Sequence, residues 1–418
     1  MKNNSTINNK IPQLRFPGFT GDWEEKSLGE VGVFVRGLSY NKGEVTQDRA
    51  ATLVLRSNNI IQDGVVDCRN GLQFVTKEPS SEQILQKGDI VICLSNGSSN
   101  LVGKSANYEG DYAGIATVGA FCGIYRSTAP ITKYLVQTPA YKKSVELIKQ
   151  GGNGALANLY GRDILGLKFY FPTLEEQNEI VECLEAEDRL ISAQEQKVEF
   201  LKAHKKGLMQ QLFPQPGATT PALRFPGYSG EWEEKTFGEL YKKNNIKNDL
   251  SFGIDKIISV ANMYFKADAN IGDKEYLKSY NVFRLGDIAY EGNKSANYAY
   301  GRFVENTIGD GIVSHVFDVY SPISKDHCFG YWKYAINYER IMRPVLEKST
   351  IKSTMMTNLI AKDFLKQKTL VPTPAEQQKI AECLEAEDRM ISVQEQKVES
   401  LKTHKKGLMQ QLFPQPEK

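Results

Sequence analysis

The sequence predicts an α+β fold in which two mixed α/β domains are joined by two long antiparallel coiled-coil helices, with an internal pseudo-twofold repeat. Three observations carry this prediction. Residues 175–213 hold no Pro and are rich in Glu, Gln, Lys, Leu and Ala, which favour helix. Their apolar positions Ile180, Leu184, Ile191, Val198, Leu201, Leu208 and Leu212 fall at steps of three, four and seven residues, the spacing of a helix-pairing seam. The stretch Pro172–Pro216 returns as Pro372–Pro416 with about four residues in five identical, so the repeated unit is a domain plus a helix.

The second copy carries the same seam at Ile380, Leu384, Ile391, Val398, Leu401, Leu408 and Leu412. Glu187, Gln194 and Lys205 interrupt the first seam with polar side chains. At 1.5 Å per residue each rod is roughly 55 Å long, and one apolar stripe on a rod of that length requires a partner. Related by an approximate twofold axis, the two helices would lie antiparallel.

Order along the chain follows from composition shifts. Residues 1–13 read as a flexible N-terminal tail and 14–171 as the first domain. Residues 172–216 form the first helical region, with its long helix at about 175–213. The second domain spans 217–371, starting at about 223. The second helical region spans 372–418, with its helix at about 375–413. Leu14–Val31 reappears as Leu223–Leu240, with Trp23 and Trp232 as expected buried anchors. In the first domain, β-branched and aromatic runs between turn residues predict strands at 32–36, 52–56, 89–94, 121–125 and 167–171. Residues 134–150 read as one helix ended by Gly151-Gly152.

Bulk properties exclude several classes. Net charge is +2, and no run of eighteen apolar residues marks a membrane span. The polar N-terminus lacks the apolar core of a signal peptide, so a cytoplasmic protein with reduced thiols is expected. Six Cys and four His show no metal-ligand spacing, so no metal is expected. The two long helices sum to roughly −5 and the two domains to roughly +5, which makes the domains the basic parts. Phosphate-loop, dinucleotide-fold and amino-methyltransferase motifs are absent. Glu24-Glu25-Lys26 matches half of a nuclease signature, but no Pro-Asp accompanies it.

Candidate binding residues sit in polar loops. Asn96, Ser98, Ser99 and Asn100 follow a predicted strand and lead into Lys104, Ser105, Asn107 and Tyr108. Asn293, Lys294, Ser295, Asn297 and Tyr298 stand after the corresponding strand of the second domain. The pentapeptide Lys-Ser-Ala-Asn-Tyr recurs letter for letter at 104–108 and 294–298. Asn153 and Arg162, and Lys352, Ser353 and Thr354, precede the last strand of each domain. Small polar residues admit close phosphate and sugar contact, and Asn and Lys match base edges. No catalytic set stands out.

The ordered landmarks resemble the specificity (S) subunit of type I restriction–modification enzymes. Pro172–Gln177 and Pro372–Gln377 introduce the helices, Gly88-Asp89-Ile90 and Gly286-Asp287-Ile288 recur, and Asn158–Asp163 and Asn358–Asp363 precede each helix. Each motif is short; their order, twice over and across essentially the whole chain, is specific. The resemblance implies two target-recognition domains, each reading one half of a bipartite asymmetric site in double-stranded DNA, with the helices setting the gap. It implies two modification (methyltransferase) subunits docked on the helical regions, joined by restriction subunits. S-adenosylmethionine, ATP and Mg would then serve those partners, leaving this chain without a cofactor or catalytic residue. A coiled-coil adaptor binding proteins through its globular ends, or a cryptic nuclease at Glu24 and Lys26, are the alternatives.

Overall fold

The computed structural model describes residues 10–61, 64–150, 158–244, 246–266, 274–295, 298–324, 326–352 and 356–415. Two compact units divide the chain: residues 1–195 with 396–418, and residues 196–395. The helices Leu174–Leu212 and Pro374–Leu412 each contribute one part to either unit.

In the first unit the organising sheet holds four antiparallel strands. They are β1 (Gly32–Arg36), β2 (Ile90–Cys93), β3 (Ser105–Asn107) and β4 (Cys122–Ser127), in the order β1-β4-β2-β3. Ile90-Val91-Ile92-Cys93 is apolar throughout and buried throughout, as expected of a strand covered on both faces. A second sheet adds Val45–Thr46, Gln73–Val75, Thr52–Leu55 and Ala116–Val118, the last pair parallel. The first strand of the unit, Glu24–Ser27, pairs with its last, Lys168–Phe171.

The second unit repeats the organising sheet with β5 (Tyr241–Asn244), β6 (Ile288–Glu291), β7 (Arg302–Glu305) and β8 (Val319–Pro322) in the order β5-β8-β6-β7. Glu233–Thr236 pairs with Lys368–Val371 in the same way. The stretch read as one helix at 134–150 is two, α1 (Thr132–Leu135) and α2 (Pro139–Gln150). Pro139 explains the break: its ring disfavours helical backbone at Thr138 and supplies no N–H, so it opens a new helix instead.

Each unit contains a segment of helix pairing. In the first, Asp188 pairs with Lys405 and Glu195 with Lys402, so positions fall in one helix as they rise in the other. In the second, Lys202 lies 2.8 Å from Glu395 and Lys205 2.5 Å from Asp388. Ile180 and Leu184 share one core with Leu412, Phe413 and Trp23, and Leu208 and Leu212 share the other with Ile380, Leu384 and Trp232. Ile191, Val198 and Ile391 are buried, while Leu201, Val398, Leu401 and Leu408 are half-buried. A polar junction recurs where each domain meets its helices. Tyr134 donates to Asp188 at 2.8 Å, and the Lys405 ammonium lies 5.2 Å from the Tyr134 ring centre. Tyr334, Asp388 and Lys205 repeat that arrangement in the second unit. Among the described residues no helix is long and apolar enough to cross a membrane.

Candidate nucleic-acid interface

The strand β2 delivers the chain into the loop 94–103, and β6 delivers it into 292–301. Backbone bonds fix the equivalence. Gly88 donates to Tyr108 O and Tyr108 to Asp89 O; Gly286 donates to Asn306 O and Asn306 to Asp287 O. Both loops close on a left-handed glycine, Gly103 at φ +85° and Gly301 at φ +74°, which a side chain would strain.

This register corrects the reading of the repeated pentapeptide. Tyr108 is matched by Asn306, not Tyr298, and Asn107, opposite Ile90, is matched by Glu305, opposite Ile288. The first Lys-Ser-Ala-Asn-Tyr runs into β3 while the second lies in the loop before β7. Three candidates of the first copy face inward. Ser105 is buried and donates to Val136 O at 3.0 Å. The Asn107 amide donates to Lys133 O at 3.3 Å, and Tyr108 lies in an apolar core. As placed, these three brace the domain and offer nothing to an external ligand. Lys104 is half-buried at the start of the strand.

The loop itself is exposed and ordered by its own polar groups. Asn96 accepts from Ser98 N at 2.9 Å and donates to Ser57 Oγ at 2.8 Å. Ser95 donates to Asn158 at 2.6 Å, and Leu159 N donates to Leu94 O at 2.9 Å. The Lys149 ammonium holds Ser99 O at 2.8 Å. Ser98, Ser99 and Asn100 are exposed. The post-strand loop and the segment before the last strand, far apart in sequence, are therefore neighbours in this unit. The second unit does the same: Thr357 N donates to Gly292 O, and Asn293 bridges to Met356.

In that second loop Asn293, Lys294 and Ser295 are exposed. Ser295 and Tyr298 close a turn through reciprocal backbone bonds of 3.1 and 3.2 Å. Arg302 stacks 5.2 Å from the Tyr298 ring centre and pairs with the buried Glu291 at 2.8 Å. Arg162 is exposed and lies 5.1 Å from the centre of the Tyr160 ring, itself exposed. Asn153, Asn297, Ser353 and Thr354 lie outside the described residues, as does the side chain of Lys352.

Several residues at this interface carry no distinctive sequence signal. Phe121 is 72% exposed, and its carbonyl accepts from both Leu94 and Ser95, so an apolar ring stands beside the polar loop. A lone Phe between Ala120 and Cys122 reads as ordinary strand. Ser57, which anchors Asn96, is equally silent. Deeper in the second unit, burial pushes the Asp287 carboxyl up, because Asn244, Ser321 and the Arg284 N–H supply only neutral hydrogen bonds at short range. Its counterpart Asp89 has the Arg126 guanidinium at 2.8 Å.

Glu24 and Lys26 form an ion pair of 2.9 Å, and among the described residues no three His, Cys, Asp or Glu side chains converge as a metal site would require.

Comparison with known proteins bears on the same residues. The model of the type I restriction modification DNA specificity domain matches residues 20–203. The type I restriction enzyme StySPI specificity subunit of Salmonella potsdam is 27% identical over 305 residues, covering 68% of this chain and 64% of its own. The EcoKI specificity subunit of Escherichia coli K12 is 30% identical over 171 residues, 39% of this chain and 35% of its own. The chain thus spans less than two thirds of either relative. The S subunit from M. genitalium has a similar fold, with a TM-score of 0.55 at 14% identity over 97% of this chain and 100% of that one. A chain from a structure of type I restriction–modification complex assembly scores 0.52 at 16% identity, over 95% and 98%. With the ordered landmarks and the repeated sheet, residues 20–203 match the type I restriction modification DNA specificity domain, and the whole chain has the fold seen in type I specificity subunits.

Proposed function

We propose that this chain supplies DNA sequence specificity to a type I restriction–modification complex. Each domain reads one half of a bipartite asymmetric site in double-stranded DNA. The paired helices fix the gap and dock two modification subunits, and restriction subunits join that core. S-adenosylmethionine, ATP and Mg are used by those partners; this chain is the non-catalytic reader, and the complex works in the cytoplasm.

The observation that carries this reading is a contrast between scaffold and loop. The four-stranded sheet, the left-handed loop glycine and the Tyr–Asp–Lys clamp recur in both units, on helices of nearly identical sequence. The loops they present differ: Ser98, Ser99 and Asn100 in one, Asn293, Lys294 and Ser295 beside an Arg–Glu brace in the other. Two unlike readers on one repeated frame suit a two-part site whose halves differ. Small hydroxyl and amide side chains contact backbone and base edges, and an exposed ring such as Phe121 can stack on or wedge between bases.

The test is co-expression with a modification subunit and mapping of methylated bases across the host DNA. A gapped two-part motif modified on both strands is the expected result. Absence of both complex and methylation would contradict it and favour a paired-helix adaptor that binds proteins through its ends.

A further inference from the structure

A cavity of about 570 Å³ opens in the second unit between the last turns of the helix Leu174–Leu212, the helix Glu339–Ser349 and the loop 292–301. Its described lining carries four cations and one acidic side chain, Glu339. Lys202 and Lys205 are held by Glu395 and Asp388. Lys206 and Arg343 are exposed, and among the described residues neither forms an ion pair. Two polar atoms of the lining, the Tyr338 hydroxyl and Asn337 Oδ1, are buried without a hydrogen-bond partner among the described residues.

The first unit lacks this arrangement. Two hundred positions earlier stand Gln137, Thr138 and Lys143. Gln137 donates to Ser105 O at 3.2 Å, Thr138 donates to Leu135 O at 2.7 Å, and Lys143 is engaged within the protein. The same fold position is therefore hydrogen-bonded internally in one unit and left open in the other, while an exposed Lys stands beside it in both, Lys406 and Lys206. A buried hydroxyl without a partner is unfavourable, so the open version calls for a ligand or ordered water to fill it.

We propose that this groove is a phosphodiester site that grips the DNA backbone flanking the half-site read by the second domain. The proposal rests on the DNA-reading function above. Lys206 and Arg343 supply the counter-charge and the Tyr338 hydroxyl donates to a non-bridging oxygen. Asn337 Oδ1 is an acceptor and is served by a water shared with the phosphate. Continuity with the reading loop argues for DNA. Tyr298 and Ala299, which line the groove, belong to the loop that exposes Asn293, Lys294 and Ser295, so a duplex lying on that loop extends over the groove. The grip is one-sided: the second half-site has it and the first does not.

The test uses the complex of this chain with its modification subunits. Its binding to a duplex bearing the gapped motif, and to a scrambled duplex, is followed against salt for wild type, the double variant Lys206→Gln with Arg343→Gln, and Tyr338→Phe. Each lost phosphate contact lowers the log–log salt slope by about 0.9, so the double variant, which gives up this one phosphate, should lose about 1. Both duplexes should weaken by the same factor, the methylated motif should not change, and Tyr338→Phe should weaken binding several-fold at unchanged slope. An unchanged slope and affinity in the assembled complex would overturn the proposal. So would loss of modification subunits from the complex with the slope of the remaining intact complex unchanged, because the groove would then be a protein contact. Equal binding of both duplexes by wild type would instead refute sequence reading, and the slope comparison would still decide the groove.

Discussion

Arg15 and Arg224 show how single residues fix each domain to the start of a long helix. Each guanidinium forks onto a carboxylate in the first turn of a long helix, Glu176 or Glu376, with bonds of 2.6–2.8 Å, and both carboxylates are almost fully buried. Breaking one such pair leaves a buried charge uncompensated. Arg224→Ala is expected to lower stability by about 3 kcal/mol in urea unfolding; a change under about 0.5 kcal/mol, typical of exposed pairs, would contradict this account. A second buried group behaves oppositely. Glu305 has no hydrogen-bond partner among the described residues, and burial pushes its carboxyl up to about 9. His327 Nε2, 3.5 Å away, is pushed down to about 4, so both groups are neutral near pH 7. The folded state then holds the Glu305 proton more tightly than the unfolded chain, whose carboxyl titrates near 4.5. Stability contributed by this group falls as pH rises from about 4.5 to about 9. Glu305→Gln should match wild type near pH 5 and exceed it by about 1–3 kcal/mol near pH 8. Equal stability at both pH values in denaturant titrations would show that the carboxyl is solvated.

At the scale of elements, the strands with continuous β-branched runs and the two long helices were legible because period and composition report backbone state directly. The loop residues were legible only as a region. The identical pentapeptide misleads because letter identity says nothing of register, which the hydrogen bonds of Gly88 and Gly286 set instead. Ser105 and Tyr108 face inward because a strand alternates its faces, and helix α1 covers the face Ser105 uses. Phe121 was illegible because an exposed ring and a core ring have the same letter. Phe121→Ala is expected to weaken recognition or modification of one half-site about tenfold without altering the other; an equal loss on a duplex lacking that half would contradict its placement at the interface. The clamp Tyr334–Asp388–Lys205 is an element-level joint of helix, helix and domain. A double-mutant cycle on Tyr334→Phe and Lys205→Met should give a coupling of about 1 kcal/mol, since both act through one carboxylate. Additive effects would mean that the contacts are independent.

For the whole molecule, two readers on one repeated frame make separability the central consequence. The frame is the part of the sequence that the two copies share: in Glu182–Gln196 thirteen of fifteen residues recur two hundred positions on, the differences being Leu190 against Met390 and Ala193 against Val393. The readers share strand order and little else. The most direct measurement is therefore the methylated motif of a complex in which residues 32–171 are replaced by the equivalent reader of another family member. One half of the gapped motif should change while the other half and the gap stay the same. A change in both halves, or a new gap with both halves unchanged, would contradict the account.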